Sequence, residues 1–576
     1  MSEQRNLVLA VGLSLAILIG FNYFYERPKV TELSHQVEVE KTQQNKQVLS
    51  AKQPKELISQ VEKIARPEAI NATSRVVIST PKLRGSINLE GGRLDDLTLV
   101  GYHETTNSNS PEITLLNPNN AADSYFVDFG WEGEGRLPDA NSLWKLDTSK
   151  KVSTQLTSSQ PITIYWENGM GLRFERTFSV DEDYLFSISD RVINNNQNEF
   201  KLSSTAQITR IGTPKTSGYY ILHEGAIGVI EGRLKEFDYQ KLTKEKNIEQ
   251  VTTGGWIGFT DKYWLVALIP DQKTAVQTRF KGDQVHEIYS SEFVSPEQTL
   301  KPGQSVEVKQ SVFAGAKILR LLDAYETNLG IDRFDLAVDF GWFYFLTKPL
   351  FYVLEFLHQL FGNLGVAILI LTVFVKLLFY PLANKSFKSM ARMKAMQPKM
   401  EALKQRYGND KVRMNQELME LYRKEKINPM SGCLPMLIQA PIFFCLYKVF
   451  FVTIEMRHAP FFWWIHDLSA PDPTSVFNLF GLLPFAAPSF LMIGAWPLIM
   501  GATMVLQQRM NPQPADPAQA KVMMIMPIMF TYLFASFPAG LVIYWAWSNI
   551  LTIAQQYFIT KQAVIEPDTV KTKKKK

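Results

Sequence analysis

The sequence has few cysteines and lacks the short motifs that mark common enzyme classes. Only two cysteines occur among 576 residues, Cys433 and Cys445, both in or beside one apolar run. A disulfide framework and a cysteine-based metal site are therefore excluded. The chain also lacks a Gly-x-Ser-x-Gly elbow, a His-Glu-x-x-His zinc helix and a Walker lysine loop. We expect no cofactor and no metal, and we predict that the chain is not an enzyme.

The sequence has little net charge, a formal +5 from 61 basic and 56 acidic residues. The basic residues cluster in residues 382–432 and in the tail, which argues against direct nucleic-acid binding along one face. The overall hydrophobic content is moderate at 46%, but apolar residues crowd into residues 7–25 and the last third of the chain. This distribution indicates a membrane protein with a large soluble part.

Several apolar stretches are close to the ~20 residues that a helix needs to cross ~30 Å of hydrocarbon. The first, Leu7–Tyr25, ends in bulky aromatic residues where a signal peptide would have a small-residue cleavage site, so residues 1–25 are predicted to form a retained anchor. The start of the fourth span is the least defined, because the apolar run at 476–506 contains Pro484, Pro488 and Pro497. Further spans are predicted near 363–381, 433–453, 488–508, 522–537 and 539–559.

The distribution of lysine and arginine predicts the orientation of these spans. The loop at 382–432 and the tail at 561–576 are both rich in lysine or arginine, so both are expected in the cytoplasm. Four predicted spans separate them, an even number that agrees with this placement. Residues 26–362 then lie outside, the N-terminus is cytoplasmic, and the large outer domain suggests the periplasm of a bacterium with two membranes.

Residues 74–330 have the pattern of an antiparallel β-sandwich. Two-residue alternation in Ile162–Trp166 and Leu172–Glu175, on either side of the turn signal Asn168-Gly169, predicts a hairpin. Similar runs include Tyr184–Val192 and Lys262–Ile269. Residues 26–73 contain few large apolar side chains and are predicted to be a flexible tether.

A short amphipathic segment is predicted within residues 331–352. Asp335 and Asp339 lie away from the apolar face, so we expect an interfacial helix on the outer membrane surface. A helix buried under the sandwich is the alternative. The apolar face carries Phe334, Val338, Trp342 and Phe345.

Lys376 is an unusual residue because it lies inside the apolar run 366–381. A charge at the centre of a membrane helix costs ~2.5–3.5 kcal/mol, so such a residue normally faces a polar interior. The alternative is that its long stem reaches the cytoplasmic interface, since Pro381 is only five residues away. Thr372, one turn earlier on the same face, favours the first interpretation.

Other predicted spans supply polar side chains that would line a water-filled concavity around Lys376. These spans contain no carboxylate partner for the lysine, so the concavity would have a positive potential. Each of these polar side chains alone more often joins helices. They are Gln439, Thr531, Tyr532, Ser536, Tyr544, Ser548 and Asn549.

The cytoplasmic loop at 384–427 has apolar residues at helical spacing, interrupted at Gly408, and is predicted to be a helical hairpin. Its methionines would offer an adaptable contact surface for other proteins. Alternatively, they only hold the two helices together. The methionines concerned are Met393, Met396, Met400 and Met419.

Long motifs occur in order between residues 362 and 556: Gly362–Gly365 with Tyr380-Pro381, Asn428–Pro441, Phe537–Trp545, Ser548-Asn549 and Gln555-Gln556. These motifs resemble the YidC/Oxa/Alb family of membrane protein insertases, in its Gram-negative form with a large periplasmic domain. The resemblance implies a five-helix core at 353–560 around a hydrophilic groove, and it implies small membrane proteins as clients. Most bacterial members have an arginine where this chain has Lys376, so a mechanism that needs a guanidinium fork is in doubt.

The sequence therefore predicts a polytopic α-helical inner-membrane protein with six transmembrane helices and a periplasmic β-sandwich. The resemblance implies an insertase that works alone or with the Sec translocon. Expected partners are nascent membrane proteins, membrane lipids, and the ribosome through the basic hairpin and tail, with no other nucleic-acid contact. Two alternatives remain open: a secondary transporter for a small anion, and a membrane-anchored carbohydrate-binding protein.

Overall fold

The computed structural model describes residues 63–565, except 149–153, 218–221, 408–409, 426–433, 484–487, 489–491 and 513–516. The predicted anchor at 1–25, the tether up to residue 62 and the tail beyond residue 565 lie outside the described residues.

The first part of the described chain forms two large β-sheets. The strands are β1 Arg75–Ser79, β2 Leu83–Asn88, β3 Arg93–His103, β4 Glu112–Leu116, β5 Tyr125–Gly133, β6 Lys145–Leu146, β7 Gln155–Leu156, β8 Ile162–Glu167, β9 Leu172–Val180, β10 Leu185–Asn194, β11 Phe200–Ile211, β12 Gly225–Ile230, β13 Arg233–Phe237, β14 Asn247–Thr253, β15 Trp256–Thr260, β16 Trp264–Ile269, β17 Ala275–Asp283, β18 Ile288–Val294, β19 Gln298–Leu300 and β20 Ser305–Ala316.

The two sheets face each other as a sandwich. One has eleven strands in the order β14-β17-β18-β11-β5-β3-β2-β1-β7, with β19 on β11 and β4 on β3; the other has nine, in the order β13-β12-β15-β16-β20-β10-β9-β8-β6. Neighbouring strands are antiparallel except β1 and β7. The ring centroids of Phe129 on β5 and Phe178 on β9 lie 5.9 Å apart, so aromatic side chains of both sheets meet in the core. The predicted antiparallel sandwich is confirmed.

The predicted hairpin is the pair β8 and β9. Oδ1 of Asn168 accepts hydrogen bonds from the backbone N–H of Met170 and of Leu172, at 2.8 and 3.0 Å. Gly169 adopts a φ of 71°, which glycine accepts without strain. Alternate residues of β9 are buried along its whole length, as the two-residue period predicted.

The predicted tether at 26–73 extends too far. Its last part contains helix α1, Arg66–Asn71, in which Ala69 is buried. Arg66 forms an ion pair with Asp96 on β3, and Ile64 forms a β-bridge with Ala121. These contacts supply the burial that the polar composition did not suggest.

The amphipathic helix predicted within residues 331–352, between the sandwich and the predicted second span, is also corrected. After α2, Tyr239–Glu245, and α3, Leu319–Leu329, a short 3₁₀ helix occupies Phe334–Ala337, and α4 then runs over Tyr344–Phe361. A φ of 67° at Gly341 separates the two helices. Phe334 is fully buried against Trp256 and Phe313 of the sandwich.

Helix α4 carries the amphipathic face that the sequence placed ten residues earlier. Trp342 before it and Phe345 in its first turn are 90% and 74% exposed, whereas Asp335, expected on a polar face, is buried and pairs with Lys348. Phe334 thus fits the alternative prediction, a helix buried under the sandwich. The exposed apolar surface belongs to α4 and the residues just before it.

The remaining helices form the C-terminal part of the described chain. They are α5 Leu364–Leu378, α6 Tyr380–Ala395, α7 Gln397–Tyr407, α8 Lys411–Lys424, α9 Leu434–Val452, α10 Ala495–Met510, α11 Pro517–Phe534 and α12 Ala539–Ile565. No single helix among the described residues combines the length and hydropathy of a membrane span, but α5 and α6, bent by 69° at their junction, do so as a pair.

Five of these helices, α5 and α9 to α12, fall on the predicted spans. The count of six spans remains a prediction, because the anchor lies outside the described residues. Helix α12 continues to Ile565, past the predicted end at 559 and into the predicted tail. Lys561, Gln562 and Ala563 are good helix formers and allow this extension.

Candidate functional site

The ammonium group of Lys376, in the last turn of α5, is held by two other helices. Nζ donates to Oε1 of Gln439 on α9 at 3.0 Å and to Oγ1 of Thr552 on α12 at 2.9 Å. Its side chain thus points between helices in the described structure. The three helices meet at one polar cluster, which we define as Lys376, Gln439, Ser548 and Thr552.

Ser548 joins the same cluster from α12. Nε2 of Gln439 donates to Oγ of Ser548 at 2.8 Å, while Oγ1 of Thr552 also donates to the carbonyl of Ser548 at 2.7 Å. The spacing of four residues places Ser548 and Thr552 on one helix face, one turn apart. Tyr544, a turn earlier and buried, interacts with Gln439 and Ser548.

The cluster carries a positive charge without an acidic counterpart. Among the ion pairs of the described residues, none involves Lys376. The amide and hydroxyl groups satisfy hydrogen bonds of the ammonium group but do not neutralise its charge. An anionic group arriving beside Lys376 would therefore gain an electrostatic interaction that the resting cluster does not already use.

The other predicted groove residues occupy different positions. Thr372 is buried and donates to the carbonyl of Ile368 in its own helix at 2.7 Å. Thr531 likewise donates to the carbonyl of Pro527 at 2.8 Å. Ser536, in the turn after α11, donates to the carbonyl of Leu533 at 3.0 Å. Such bonds to a nearby carbonyl satisfy the hydroxyl locally.

Two further predicted residues form no hydrogen bond with Lys376 in the described part of the chain. Tyr532 is 59% exposed. Nδ2 of Asn549 donates to Oγ1 of Thr503 at 3.1 Å, which joins α12 to α10. The structure therefore brings Gln439, Ser548 and Tyr544 to the lysine, whereas Asn549 joins a different pair of helices.

Sequence reasoning missed two residues of this region. Thr552 contacts Lys376 directly, and its position four residues after Ser548 was the available signal. Lys448 lies inside the predicted span 433–453, and its Nζ is 2.9 Å from Oδ2 of Asp339. Lys376 is thus not the only lysine of the predicted core spans, but Lys448 is paired with a carboxylate.

The C-terminal end of α9 and the residues after it contact the β-sandwich. The ammonium of Lys262 lies 4.0 Å from the centroid of the Phe451 ring, and the Arg457 guanidinium donates to the carbonyl of His103. Glu455, which lies between Phe451 and Arg457 in the sequence, is part of a short 3₁₀ helix. Burial raises the pKa of its carboxyl to about 7. Burial also lowers the pKa of Lys262 to about 8.

The predicted cytoplasmic hairpin is formed by α7 and α8, with α6 before them. Met396 and Met400 are buried with Tyr422, and Met393 packs against them. These three methionines hold helices together. Met419 is 49% exposed, so it alone of the four presents an open surface.

Comparison with known proteins first defines the class. The YidC periplasmic domain family matches residues 75–353, and the 60Kd inner membrane protein family matches residues 356–566. This chain is therefore a membrane protein with a periplasmic β-domain and a helical membrane part. It belongs to the YidC family of membrane protein insertases, as the sequence motifs suggested.

Relatives support this assignment over nearly the whole chain. Membrane protein insertase YidC of Methylobacterium nodulans is 48% identical, over 97% of this chain and 95% of the relative. The proteins of the same name from Sinorhizobium fredii and Brucella suis are each 48% identical, over 98% of this chain and 96% of the relative. Insertion is not an enzymatic activity, so the prediction of no enzyme is confirmed by these relatives, and neither alternative function is favoured.

Two solved structures show weaker likeness. An active YidC insertase crystal structure is 21% identical, covering 84% of this chain and 92% of its own, with a TM-score of 0.36. A galactose mutarotase related enzyme from Lactobacillus acidophilus is 10% identical, covering 42% of this chain and 97% of its own, with a TM-score of 0.30.

Proposed function

We propose that this chain inserts membrane proteins by receiving a polar or acidic stretch of a client beside Lys376, within a hydrophilic groove lined by the polar cluster. The observation that carries the proposal is the ammonium of Lys376, bonded to Gln439 and Thr552 from two other helices with no carboxylate pair among the described residues. The client's apolar segment then leaves sideways into lipid.

The polar part of the client meets the main energetic barrier to insertion. Moving an unpaired polar group through hydrocarbon costs several kcal/mol, so a groove that shortens the low-dielectric path lowers the barrier. Burial of the client helix in lipid, at ~25 cal/mol per Å² of apolar surface, then drives release. The chain needs no bound nucleotide in this scheme.

The lysine side chain also determines how acidic groups of a client can be bound. An ammonium acts as a point charge with rotatable donors, whereas a guanidinium offers a planar fork. Lys376 therefore attracts acidic groups by charge rather than by two-bond matching, which suits clients whose acidic residues vary in position.

The proposed topology has six spans, with both termini in the cytoplasm and the β-sandwich in the periplasm. Proposed partners are nascent membrane proteins, the Sec translocon, membrane lipids, and the ribosome through the basic hairpin and tail. The site comprises the polar cluster with Tyr544, extended by the other predicted groove residues, and the exposed Met419 provides a cytoplasmic contact.

Site-specific photocrosslinking tests this proposal while leaving Lys376 in place. A crosslinker at position 439 or 552, beside the ammonium, should label a ribosome-bound nascent membrane protein. The matched control is position 377, because Leu377 is 60% exposed on the same helix as Lys376. Client adducts at positions 439 and 552 that exceed those at 377 support the proposal. No adducts at the two cluster positions, or no more than at 377, contradict it.

A further inference from the structure

A separate cleft of about 380 Å³ lies between α6, α10 and α12. It shares no residue with the polar cluster around Lys376, although both use α12. Gln556 follows Thr552 by one helical turn, roughly 6 Å along the axis. Its lining includes Met390, Lys394, Met510, Gln556, Tyr557 and Lys561.

The cleft has two cationic side chains. Nζ of Lys394 lies 3.3 Å from the carbonyl oxygens of both Arg509 and Met510 at the end of α10. Lys561 is exposed. Within the described part of the chain, neither lysine appears in an ion pair with a carboxylate, so the cleft keeps a positive charge.

Gln556 adds an unused acceptor. It is 3% exposed, and its Nε2 donates to Oδ1 of Asn511 at 3.1 Å and to the Met510 carbonyl at 3.4 Å. These bonds fix the amide orientation. Its Oε1 has no hydrogen-bond partner among the described residues. A buried acceptor without a donor is costly, so a ligand that supplies an O–H or N–H would be stabilised there.

We propose that this cleft binds the headgroup of an anionic phospholipid that carries free hydroxyls, of the phosphatidylglycerol class. The phosphate lies beside Lys394 and Lys561, a headgroup hydroxyl donates to Oε1 of Gln556, and the first methylenes of the acyl chains pack on Met390, Met510 and Tyr557. Such a lipid has a complementary group for each part of the cleft: a phosphate for the cations, a hydroxyl for the acceptor and acyl chains for the apolar wall.

The dimensions favour a lipid over a client segment. Two turns of an α-helix with its side chains, ~10–12 Å across and ~11 Å long, occupy roughly 1,000 Å³. This is more than the cleft of about 380 Å³ offers, whereas a glycerophosphate group is much smaller. The cleft also lies at the end of α12 where the predicted last span, 539–559, reaches the cytoplasmic surface. Headgroup phosphates are found at that depth.

The test uses the full-length protein in nanodiscs of phosphatidylcholine with a small fraction of labelled lipid. Bound lipid is counted for phosphatidylglycerol, for phosphatidylmethanol, which has the charge without the hydroxyls, and for phosphatidylcholine. The variants are K394Q/K561Q, which removes the cations, and Q556M, which removes the acceptor. K385Q/K388Q is the matched control, because it makes the same charge change on α6 outside the cleft.

The wild-type protein should prefer phosphatidylglycerol over both other lipids. K394Q/K561Q should lower the preference over phosphatidylcholine by roughly fivefold for each lysine, and K385Q/K388Q should retain it. Q556M should lose the preference over phosphatidylmethanol while still favouring anionic lipids. Equal binding of the three lipids, or equal losses in both lysine pairs, would overturn the proposal. Displacement of the labelled lipid by soluble glycerol 3-phosphate would show a site for free phosphate esters instead.

Discussion

Nζ of Lys448 on α9 lies 2.9 Å from Oδ2 of Asp339, in the segment that follows the β-sandwich. The backbone N–H of His223, in the sandwich, donates to the same carboxylate at 3.3 Å. One acidic side chain thus joins the sandwich, the segment before α4 and a core helix. Both partners of the ion pair are less than a fifth exposed, so solvent screens the interaction only partly.

The pair should contribute measurable coupling to stability. We expect the variants Lys448→Met and Asp339→Asn each to destabilise the protein, because each removes one half of a partly buried ion pair. The double variant should lose less than the sum, with a coupling energy of about 1–3 kcal/mol. Thermal unfolding of the four proteins in one detergent measures the cycle, and strictly additive losses would contradict a direct interaction.

Variants of the helical hairpin formed by α7 and α8 can separate its internal packing from its proposed contact with a client. Met400→Ala should open a cavity beside Tyr422 and destabilise the hairpin by about 2–3 kcal/mol, because Met400 is buried there. Hydrogen exchange of residues 397–424 should then become faster. Met419→Ala is the control: Met419 is half exposed, so exchange should stay unchanged while crosslinking of the hairpin to a client decreases. Faster exchange in Met419→Ala would contradict this assignment.

Glu455 predicts a pH dependence of stability. Burial raises the pKa of its carboxyl in the folded protein to about 7, above its ordinary value of about 4.3. The folded state therefore binds more protons between these values, and stability is highest below pH 4.3 and declines as pH rises to about 7. The full effect would be roughly 4 kcal/mol.

Glu455→Gln isolates this contribution, since glutamine resembles the protonated carboxyl. Melting temperatures between pH 5 and 8 should fall for the wild-type protein and fall less for the variant. Parallel curves would show that Glu455 ionises without loss of folding energy.

Much of the fold could be predicted from local patterns. The hairpin at Asn168 follows from two-residue alternation and turn chemistry, which depend only on neighbouring residues. The helices at Leu364–Leu378, Leu434–Val452 and Ala539–Ile565 follow from long apolar runs. Where burial depends on distant partners, the sequence was less informative: the helix at Arg66–Asn71 is fixed by Asp96 and Ala121, which no local pattern indicates.

The candidate site was predicted in part for the same reason. Lys376 stood out because a charge in an apolar run needs an explanation, and Gln439 and Ser548 were found as polar residues in other runs. Which hydroxyls point toward the lysine depends on helix rotation, so Thr552 was missed. Thr372, on the predicted face, satisfies its hydroxyl within its own helix.

The rate at which purified protein in liposomes inserts a small client with an acidic periplasmic stretch tests the account most directly. Lys376→Met should lower that rate roughly tenfold, equivalent to about 1.4 kcal/mol. Lys376→Arg should retain most of it, because the charge stays. Lys385→Met, an exposed lysine of α6, should insert at the wild-type rate. A Lys376→Met protein that inserts this client as fast as the wild type would contradict a role for the buried charge.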